Sequence, residues 1–352
     1  MNISEKQDAI RRNWFLEEVG EVPFLVEVGP FHAGTGEFLH SDQAELEWNL
    51  NYHRQREMVD DYGMPNLKPN MGIGIVAEAF GCPSTPNDVA DPWVTPLIRG
   101  SDAVDIGSIT VPDAKTCPAF KRAYDRLAYF EAISDLPLRL VNVPSPLVTA
   151  TLIWEYSSCM EATLINPSAV HALLEKVTHV TIEYLREQRR RIRNLHTMGH
   201  EMWYIPPEVG VRISDDAAVL LSPDLYREFG VRYNSIISRA MGGIVVHSCG
   251  DVQNVVGAMM ETEALRGLDL TIPQNPRWDI IRDAVDHRSA INLRHFYWDH
   301  PADAHVDLAA YSRELVAFFG RRGTFIQTGA PTPLEAAALA HELHRELGPS
   351  RF

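Results

Sequence analysis

The chain has 352 residues, of which 45% are hydrophobic and 22% are charged, and its formal net charge is −15. This length and composition suit one large α/β barrel domain. The acidic balance repels phosphate backbones and anionic lipid headgroups, which excludes nucleic acid and membrane surfaces as expected partners. The four cysteines are widely spaced and form no disulfide framework, and the charged first segment is unlike a signal peptide. We therefore expect a cytoplasmic protein.

Apolar runs typical of strands alternate with helix-like segments along the chain, beginning with residues 22–29 and 71–80. The later runs are residues 138–143, 202–205, 209–213, 244–247, 265–272, 290–293 and 324–327. Repeated βα units form a parallel sheet, and about eight such strands close a barrel. The pattern therefore predicts an α/β fold: a single (βα)8 TIM-type barrel domain that spans residues 1–352.

Helix-start signals follow several of these runs. Ser222-Pro223 supplies an N-cap and a proline in the first turn, and Asn275-Pro276 predicts another helix start. The stretch from residue 30 to residue 135 is longer than one βα unit needs. We expect it to contain an N-terminal insertion that covers the mouth of the barrel.

The segment His247-Ser248-Cys249-Gly250 ends the apolar run of residues 244–247. Side chains alternate between the two faces of a strand, so His247 and Cys249 lie on the same face. An imidazole beside a thiol at the carboxyl end of a strand offers two zinc ligands, or a nucleophile next to its base. The alternative is packing, because a free cysteine often behaves as a small buried hydrophobe.

In a (βα)8 barrel the active site lies at the carboxyl ends of the strands, which gives a set of candidate site residues. Those candidates are Glu27, His32, Asn142, Glu208, Asp215, Asp216, His247, Cys249, Asp269, Arg294, His295 and Gln327. Each could instead be structural, and Asp215-Asp216 could simply begin a turn. We expect about half of the set to be structural.

Several motifs carry a family resemblance that covers nearly all of the chain after residue 22. They are residues 213–216 (ISDD), 221–223 (LSP), 246–251 (VHSCGD) and 328–335 (TGAPTPLE), with support from residues 144–147 and 166–167. The chain resembles the uroporphyrinogen decarboxylase superfamily, most strongly from residue 209 onwards. That superfamily contains heme-pathway decarboxylases and cobalamin-linked methyltransferases, and the resemblance implies a single (βα)8 barrel.

The amino-terminal loop departs from the decarboxylase branch of this superfamily. The decarboxylases carry an arginine-rich loop after the first strand, because their substrate bears many carboxylates. In this chain neither arginine nor lysine occurs between Val22 and Arg54. We therefore expect that the protein is not a true porphyrinogen decarboxylase.

The methyltransferase branch implies a zinc site. Those enzymes bind zinc through a His-x-Cys pair and a further cysteine in the final turn. His247 and Cys249 match the pair, but Gly329-Ala330 stands where the last cysteine is expected. Catalytic zinc usually has three protein ligands and an open position. A third ligand is therefore not identified, and the remaining sources are other mouth residues, namely Glu27, Asp216, His295 and Gln327.

Three functions follow from these patterns. The first is a zinc-dependent methyl or alkyl transferase that activates a thiol acceptor, with a donor that is a corrinoid on a partner protein or a small methylated compound. The second is a metal-free decarboxylase or lyase with His247 as general acid. In both, Asp215 or Asp216 assists by orienting a ligand, moving a proton or stabilising charge. The third is a non-catalytic binding protein.

Roles are assigned within the candidate set as follows. The catalytic candidates are His247, Asp215, Asp216 and Glu27, and the metal candidates are His247 and Cys249. The substrate-binding candidates are His32, Asn142, Glu208, Arg294, His295 and Gln327. The expected ligand is a small-molecule substrate, and both a monomer and a homodimer are compatible with the sequence.

Overall fold

The structure is a computed structural model that describes residues 1–29, 41–85, 92–101, 105–197, 203–299 and 306–348. The strands are β1 (Phe24–Val28), β2 (Ser84–Thr85), β3 (Trp93–Val94), β4 (Leu138–Arg139), β5 (Leu195–Thr197), β6 (Val211–Ser214), β7 (Ile244–Ser248), β8 (Leu265–Thr271), β9 (Ala290–Arg294) and β10 (Thr324–Ala330). Short 3-10 segments cover Ile106–Ser108, Asp216–Leu220, Ile272–Gln274 and Tyr297–Asp299, and Arg227–Val231 forms one π-helical turn.

The α-helices lie between these strands in the expected alternation. They are α1 (Ile3–Trp14), α2 (Asp42–Gln55), α3 (Ile75–Ala79), α4 (Pro118–Ile133), α5 (Pro146–Ile153), α6 (Tyr156–Ile165), α7 (Pro167–Arg191), α8 (Pro223–Tyr226), α9 (Arg232–Met241), α10 (Val256–Met259), α11 (Trp278–Val285), α12 (Leu308–Phe319) and α13 (Pro333–Leu347). Among the described residues, no helix is long and apolar enough to cross a membrane.

The main sheet is parallel and has the order β1-β10-β9-β8-β7-β6. The first strand pairs with the last, as barrel closure requires. A second parallel pair, β4 and β5, is linked to this sheet by a bridge between Pro144 and Ser214 and extended by a bridge between Leu67 and Leu138. The predicted α/β TIM-type barrel is therefore confirmed as the fold class.

Two predicted strands differ from the observed elements. Residues 75–79 of the predicted run 71–80 form helix α3. The place next to β4, where the predicted strand would lie, is taken by an isolated bridge at Leu67. The residues in question include Ala77, Glu78 and Ala79, which are good helix formers. The run 202–205 gives no strand in its described part, and β5 lies earlier in the chain.

The segment between β1 and β4 contains the extra elements that its own length predicted. Helices α2, α3 and α4 lie there together with the antiparallel pair β2–β3. The carboxyl group of Glu45 in α2 pairs with Arg126 of α4 at 2.7 Å, and both side chains are buried. A buried ion pair of this kind joins the two helices by charge as well as by packing.

Helix α1 packs across the amino-terminal ends of the barrel strands. Trp14 of α1 contacts Phe325 of β10 with 4.4 Å between ring centroids. Asn13 accepts a hydrogen bond from the Gly323 N–H at 2.8 Å and donates to the Thr324 carbonyl at 2.7 Å. A Cβ atom at Gly267 of β8 would lie 2.5 Å from Trp14 Cζ3. Only glycine therefore lets the indole enter the barrel at this point.

Candidate functional site

The centre of the candidate site is the pair His247 and Cys249 at the carboxyl end of β7. His247 Nε2 lies 3.0 Å from Cys249 Sγ, and His247 Nδ1 lies 2.9 Å from the backbone carbonyl oxygen of Asp269 on β8. A carbonyl oxygen can only accept, so Nδ1 carries the proton and the lone pair of Nε2 faces the thiol. This tautomer leaves Nε2 available as a metal ligand.

The loop that carries Cys249 is held by Asn275. Its side-chain amide donates to the carbonyl oxygens of Gly250, at 3.0 Å, and of Thr271, at 2.8 Å, and its Oδ1 accepts from the Val252 N–H at 2.9 Å. Asn275 was predicted to open a helix, but α11 begins three residues later, at Trp278. The side chain instead fixes the turn that follows the candidate ligands.

The electrostatic environment shifts the pKa values of both members of the pair. Burial and the Arg212 charge lower the pKa of His247, but Asp269 and the contact with Cys249 outweigh them, and the pKa is raised above its usual value. Burial raises the pKa of the Cys249 thiol, but its hydrogen bond with His247 and the nearby charges leave that pKa below its usual value. Both shifts stabilise the charged forms of the two side chains relative to isolated groups.

Asp216 lies beside this pair at the end of β6. Its Oδ1 accepts a hydrogen bond of 2.8 Å from the backbone N–H of Cys249. One ligand atom from each of Asp216, His247 and Cys249 can be chosen so that all three lie within 4.8 Å of one another. A carboxylate oxygen, an imidazole nitrogen and a thiolate sulfur are all zinc ligands, and three protein ligands leave an open position. The donor set therefore fits zinc.

Asp215 does not share this environment, although it is the neighbouring residue. Its carboxylate is fully buried and accepts hydrogen bonds from Ser145 Oγ at 2.7 Å, Tyr226 Oη at 2.8 Å and Asn234 Nδ2 at 2.8 Å. Burial raises the pKa of Asp215, and the three donors oppose that shift. Arg212 of the same strand faces the barrel interior, so strand alternation turns Asp215 outward towards the helices. The structure therefore does not bring Asp215 to the His247–Cys249 pair, where the sequence predicted it to act.

A chain of buried guanidinium, carboxylate and amide groups crosses the barrel interior next to the His247–Cys249 pair. We call it the polar belt, and its members are Arg212, Asp269, Asn292, Gln327 and Glu27. Asn292 Nδ2 donates to Asp269 Oδ1 at 3.1 Å and to Gln327 Oε1 at 2.7 Å. Gln327 Nε2 then donates to Glu27 Oε1 at 2.6 Å. Every member of the belt is at most 5% exposed. The side chains of Glu27 and Gln327 therefore lie in the interior of the barrel.

Arg294 of β9 lies directly against the imidazole. Its Nη1 is 3.3 Å from both ring nitrogens of His247, and its Nε is 3.9 Å from Asp269 Oδ1. Arg294 and Asn292 are two residues apart and share the inward face of β9. The guanidinium therefore brings a positive charge to the candidate site, as expected for a group that binds anionic substrates.

Four other predicted residues lie elsewhere or are not described. His295 faces outward and contacts Ser312 Oγ at 2.9 Å, because it alternates with the inward-facing Arg294. Glu208 pairs with Arg11 of α1 at 2.9 Å. It precedes β6 and therefore lies at the opposite end of the barrel. Asn142 is half-buried, and its Oδ1 has no hydrogen-bond partner in the described part of the chain. His32 lies outside the described residues.

The final turn contributes no ligand to the site. Gly329 of β10 is two residues beyond the inward-facing Gln327 and therefore faces the interior as well. A Cβ atom at Gly329 would lie 3.2 Å from each of Phe296 Cδ1 and Trp298 Cη2. These two rings stack with centroids 4.4 Å apart and planes 8° from parallel. They fill the space that a larger side chain at residue 329 would enter.

Sequence reasoning missed Arg212 and Asn292 as site residues. Both occur within predicted strands, at residues 209–213 and 290–293. The available signal was a polar side chain inside an otherwise apolar run, placed on the alternate positions that face the barrel interior. Trp203 was missed too, and its Nε1–H donates to Gln327 Oε1 at 3.1 Å.

The fold and the site define a TIM-type barrel protein with a polar, metal-compatible centre at the mouth of the barrel. A family model described as uroporphyrinogen decarboxylase (URO-D) matches residues 50–191, less than half of the chain. The match precedes the motifs from residue 209 onwards that carried the resemblance most strongly. This match confirms the resemblance to the uroporphyrinogen decarboxylase superfamily over residues 50–191.

Solved structures are similar to this fold at low sequence identity. A methyltransferase from Methanosarcina mazei matches with a TM-score of 0.66 and 15% identity, over 97% of each chain. A candidate vitamin-B12 independent methionine synthase from Listeria monocytogenes matches with a TM-score of 0.43 and 12% identity, over 68% of this chain and 72% of the other. The first likeness supports the barrel fold, and the second is too weak to carry an argument. No curated protein matches the sequence.

Proposed function

We propose that this protein is a zinc-dependent methyl or alkyl transferase that activates a thiol acceptor. The observation that carries the proposal is the cluster of Asp216, His247 and Cys249, with the Nδ1 of His247 held by the Asp269 carbonyl. Bound zinc would supply Lewis acidity that keeps a coordinated thiol deprotonated near neutral pH. The similarity in fold to a structure named as a methyltransferase supports the same choice.

Asp216 supplies the ligand that the sequence left unidentified. The final turn offers only Gly329 at the inward position, and Phe296 and Trp298 occupy the space above it. Asp216 reaches the pair from β6 instead, on the side opposite to β9 and β10. The ligand set would therefore be oxygen, nitrogen and sulfur, in place of the nitrogen and two sulfurs that the family resemblance implies.

The residues around the mouth suit a methyl donor that approaches from outside the barrel. Large apolar side chains are exposed on the segments that follow the strands, for example Leu220 at 59%, Trp298 at 38% and Leu334 at 73%. Exposed apolar groups grouped at one end of a protein favour docking of a partner. A corrinoid carried by a partner protein is the donor that we propose, and a small methylated compound is the alternative.

A metal-free decarboxylase or lyase remains the second candidate, because one observation favours it. Arg294 places a guanidinium against His247, whose raised pKa favours the protonated form that a general acid needs. In this function Arg294 would bind a substrate carboxylate and His247 would protonate the product. Asp215 takes no part in either function, because it is fully buried and its oxygens already accept three hydrogen bonds.

Elemental analysis of the purified, untagged protein tests the proposal directly. We expect about one zinc per chain, lost in Cys249→Ala and retained in Cys117→Ala, which removes a thiol distant from the cluster in sequence. Methyl transfer from methylcobalamin to small thiols should follow the zinc content across these variants. Absence of zinc even after reconstitution, together with release of CO2 from carboxylic acids that depends on His247, would support the second candidate.

A further inference from the structure

The polar belt begins at Arg212, which holds the carboxylate of Asp269 from one side. Arg212 Nε and Nη2 each lie 2.7 Å from Asp269 Oδ2, and both side chains are buried. Asn292 donates to the other oxygen, Oδ1, at 3.1 Å. Asp269 is therefore fixed through both of its carboxylate oxygens. Burial raises the pKa of Asp269, but the charges of Arg212, His247 and Arg294 outweigh that effect and hold the pKa far below its usual value.

The same Asp269 holds His247 in two ways. Its backbone carbonyl lies 2.9 Å from His247 Nδ1, and its Oδ2 lies 3.3 Å from the same nitrogen. Arg212 lies on β6, His247 on β7 and Asp269 on β8. The imidazole is therefore on the middle strand, and the residues that support it are on the two neighbouring strands. Among the described residues, Arg212 makes no hydrogen bond or ion pair with Cys249 or Asp216.

The two carboxylates of the belt fix the orientation of both amide side chains that lie between them. The carboxylates of Glu27 and Asp269 are the acceptors on either side of the two amides, so Gln327 must donate to Glu27 and Asn292 to Asp269. Gln327 Oε1 then accepts from Asn292 Nδ2 and from Trp203 Nε1. A flip of the Asn292 amide would lose both hydrogen bonds that its Nδ2 donates. Its hydrogen bond to Asp269 is therefore fixed in one orientation.

We propose that Arg212 and Asn292 are positioning residues which act through Asp269 to hold the His247 imidazole in the orientation that binds metal. A ligating histidine is commonly oriented by a partner on its other nitrogen, and loss of that partner weakens metal binding 10–100-fold. The belt extends this support from one residue to five. The inference rests on the proposed zinc site, and the contacts that carry it are all made by the chain's own residues.

Zinc affinity, measured by competition with a chelator, separates positioning from a purely structural role. Arg212→Lys keeps the charge but cannot make both contacts to Oδ2, and we expect zinc to bind at least about tenfold more weakly. The matched control is Arg126→Lys, which alters another buried arginine paired with carboxylates, outside the belt. Equal zinc affinity in wild type and Arg212→Lys would overturn the inference.

Two further measurements test the positioning role in cases that the first cannot resolve. One applies if the single variants unfold, and the other applies if the protein does not bind zinc. The double variant Arg212→Met with Asp269→Asn removes both charges, which avoids a lone buried ion, and we expect the same loss of zinc affinity. In the metal-free protein, nitrogen-15 NMR should show a protected Nδ1–H on His247 that exchanges faster in Arg212→Lys. Failure of wild type to bind zinc would refute the proposed function alone, whereas an unchanged Nδ1–H signal would refute the positioning role.

Discussion

The backbone N–H of Cys249 donates a hydrogen bond of 2.8 Å to Oδ1 of Asp216. This bond joins the end of β7 to the end of β6 and brings a carboxylate next to the His247–Cys249 pair. Asp216 therefore has a structural partner through one oxygen, while the cluster distance of 4.8 Å or less keeps a carboxylate oxygen near the other two ligand atoms. The first prediction tests which of these two roles matters more.

Replacement of Asp216 by alanine should abolish tight zinc binding with little effect on folding. The change removes one of the three proposed ligands, so we expect a loss greater than the roughly tenfold typical of a lost supporting contact. The free energy of unfolding should fall by only about 1 kcal/mol, the contribution of one hydrogen bond. Zinc competition and urea unfolding measure the two effects. Asp251→Ala is the control, since Asp251 is a nearby acid outside the cluster.

Gly329→Cys should fail to restore the cysteine ligand that the family resemblance implies. The new Cβ would press on Phe296 and Trp298 at 3.2 Å, and overpacking of this kind costs about 1–3 kcal/mol. We expect lower stability and no gain in zinc affinity. Gly257→Cys is the comparison, because a Cβ there meets no atom within 4 Å. Tighter zinc binding by Gly329→Cys would show that the two rings move aside readily.

Cys249 should be the first thiol to react with limiting iodoacetamide at neutral pH. It is exposed and its pKa is lowered, whereas Cys82 and Cys159 are buried and burial raises their pKa values to about 11 and about 12. Reaction requires the thiolate, so the order follows exposure and pKa. Mass spectrometry of digested protein identifies the labelled residue. Added zinc should slow the reaction at Cys249, and labelling of Cys82 ahead of it would contradict the structure.

Glu187 on helix α7 should contribute to stability in a pH-dependent way. Hydrogen bonds from Arg190, and then from Arg191, lower its pKa from 4.5 to about 2 despite burial. A lowered folded-state pKa stabilises the protein above the unfolded value, and this contribution is lost as the pH falls from 4.5 towards 2. Unfolding of wild type and Glu187→Gln should therefore differ at pH 6 and converge near pH 2. Glu183→Gln, at an exposed ion pair, should show a smaller difference.

The strands near the site could be predicted well, because apolar runs and alternation determine both their existence and their two faces. His247 and Cys249 share a face of β7 as the spacing requires, and β6 to β10 fall close to the predicted runs. Alternation also separates Asp215 from Asp216, but only once the inward face of β6 is known. The sequence does not reveal that face, because Arg212 and Ile213 both lie in the run.

Other residues depended on contacts between distant segments. The apolar run 202–205 predicts a strand that would place Glu208 at the mouth, yet the nearest following strand starts at Val211. A difference of a few residues in a strand boundary moved this side chain to the other end of the barrel. The ring pair above Gly329 and the amide order of the belt depend on three-dimensional packing, which no local pattern in the sequence encodes.

The way in which α1 closes the barrel has a kinetic consequence. Trp14, Phe325 and Trp203 pack together at the amino-terminal ends of the strands, with ring centroids of neighbouring pairs 4.4 and 5.0 Å apart. In the part of the chain that the structure describes, these rings fill the amino-terminal end of the barrel, so the side where the strands end is the one left for access to the His247–Cys249 pair. If the proposed transferase function holds, donor and acceptor would both enter at this end of the barrel, and an excess of either should inhibit competitively against the other.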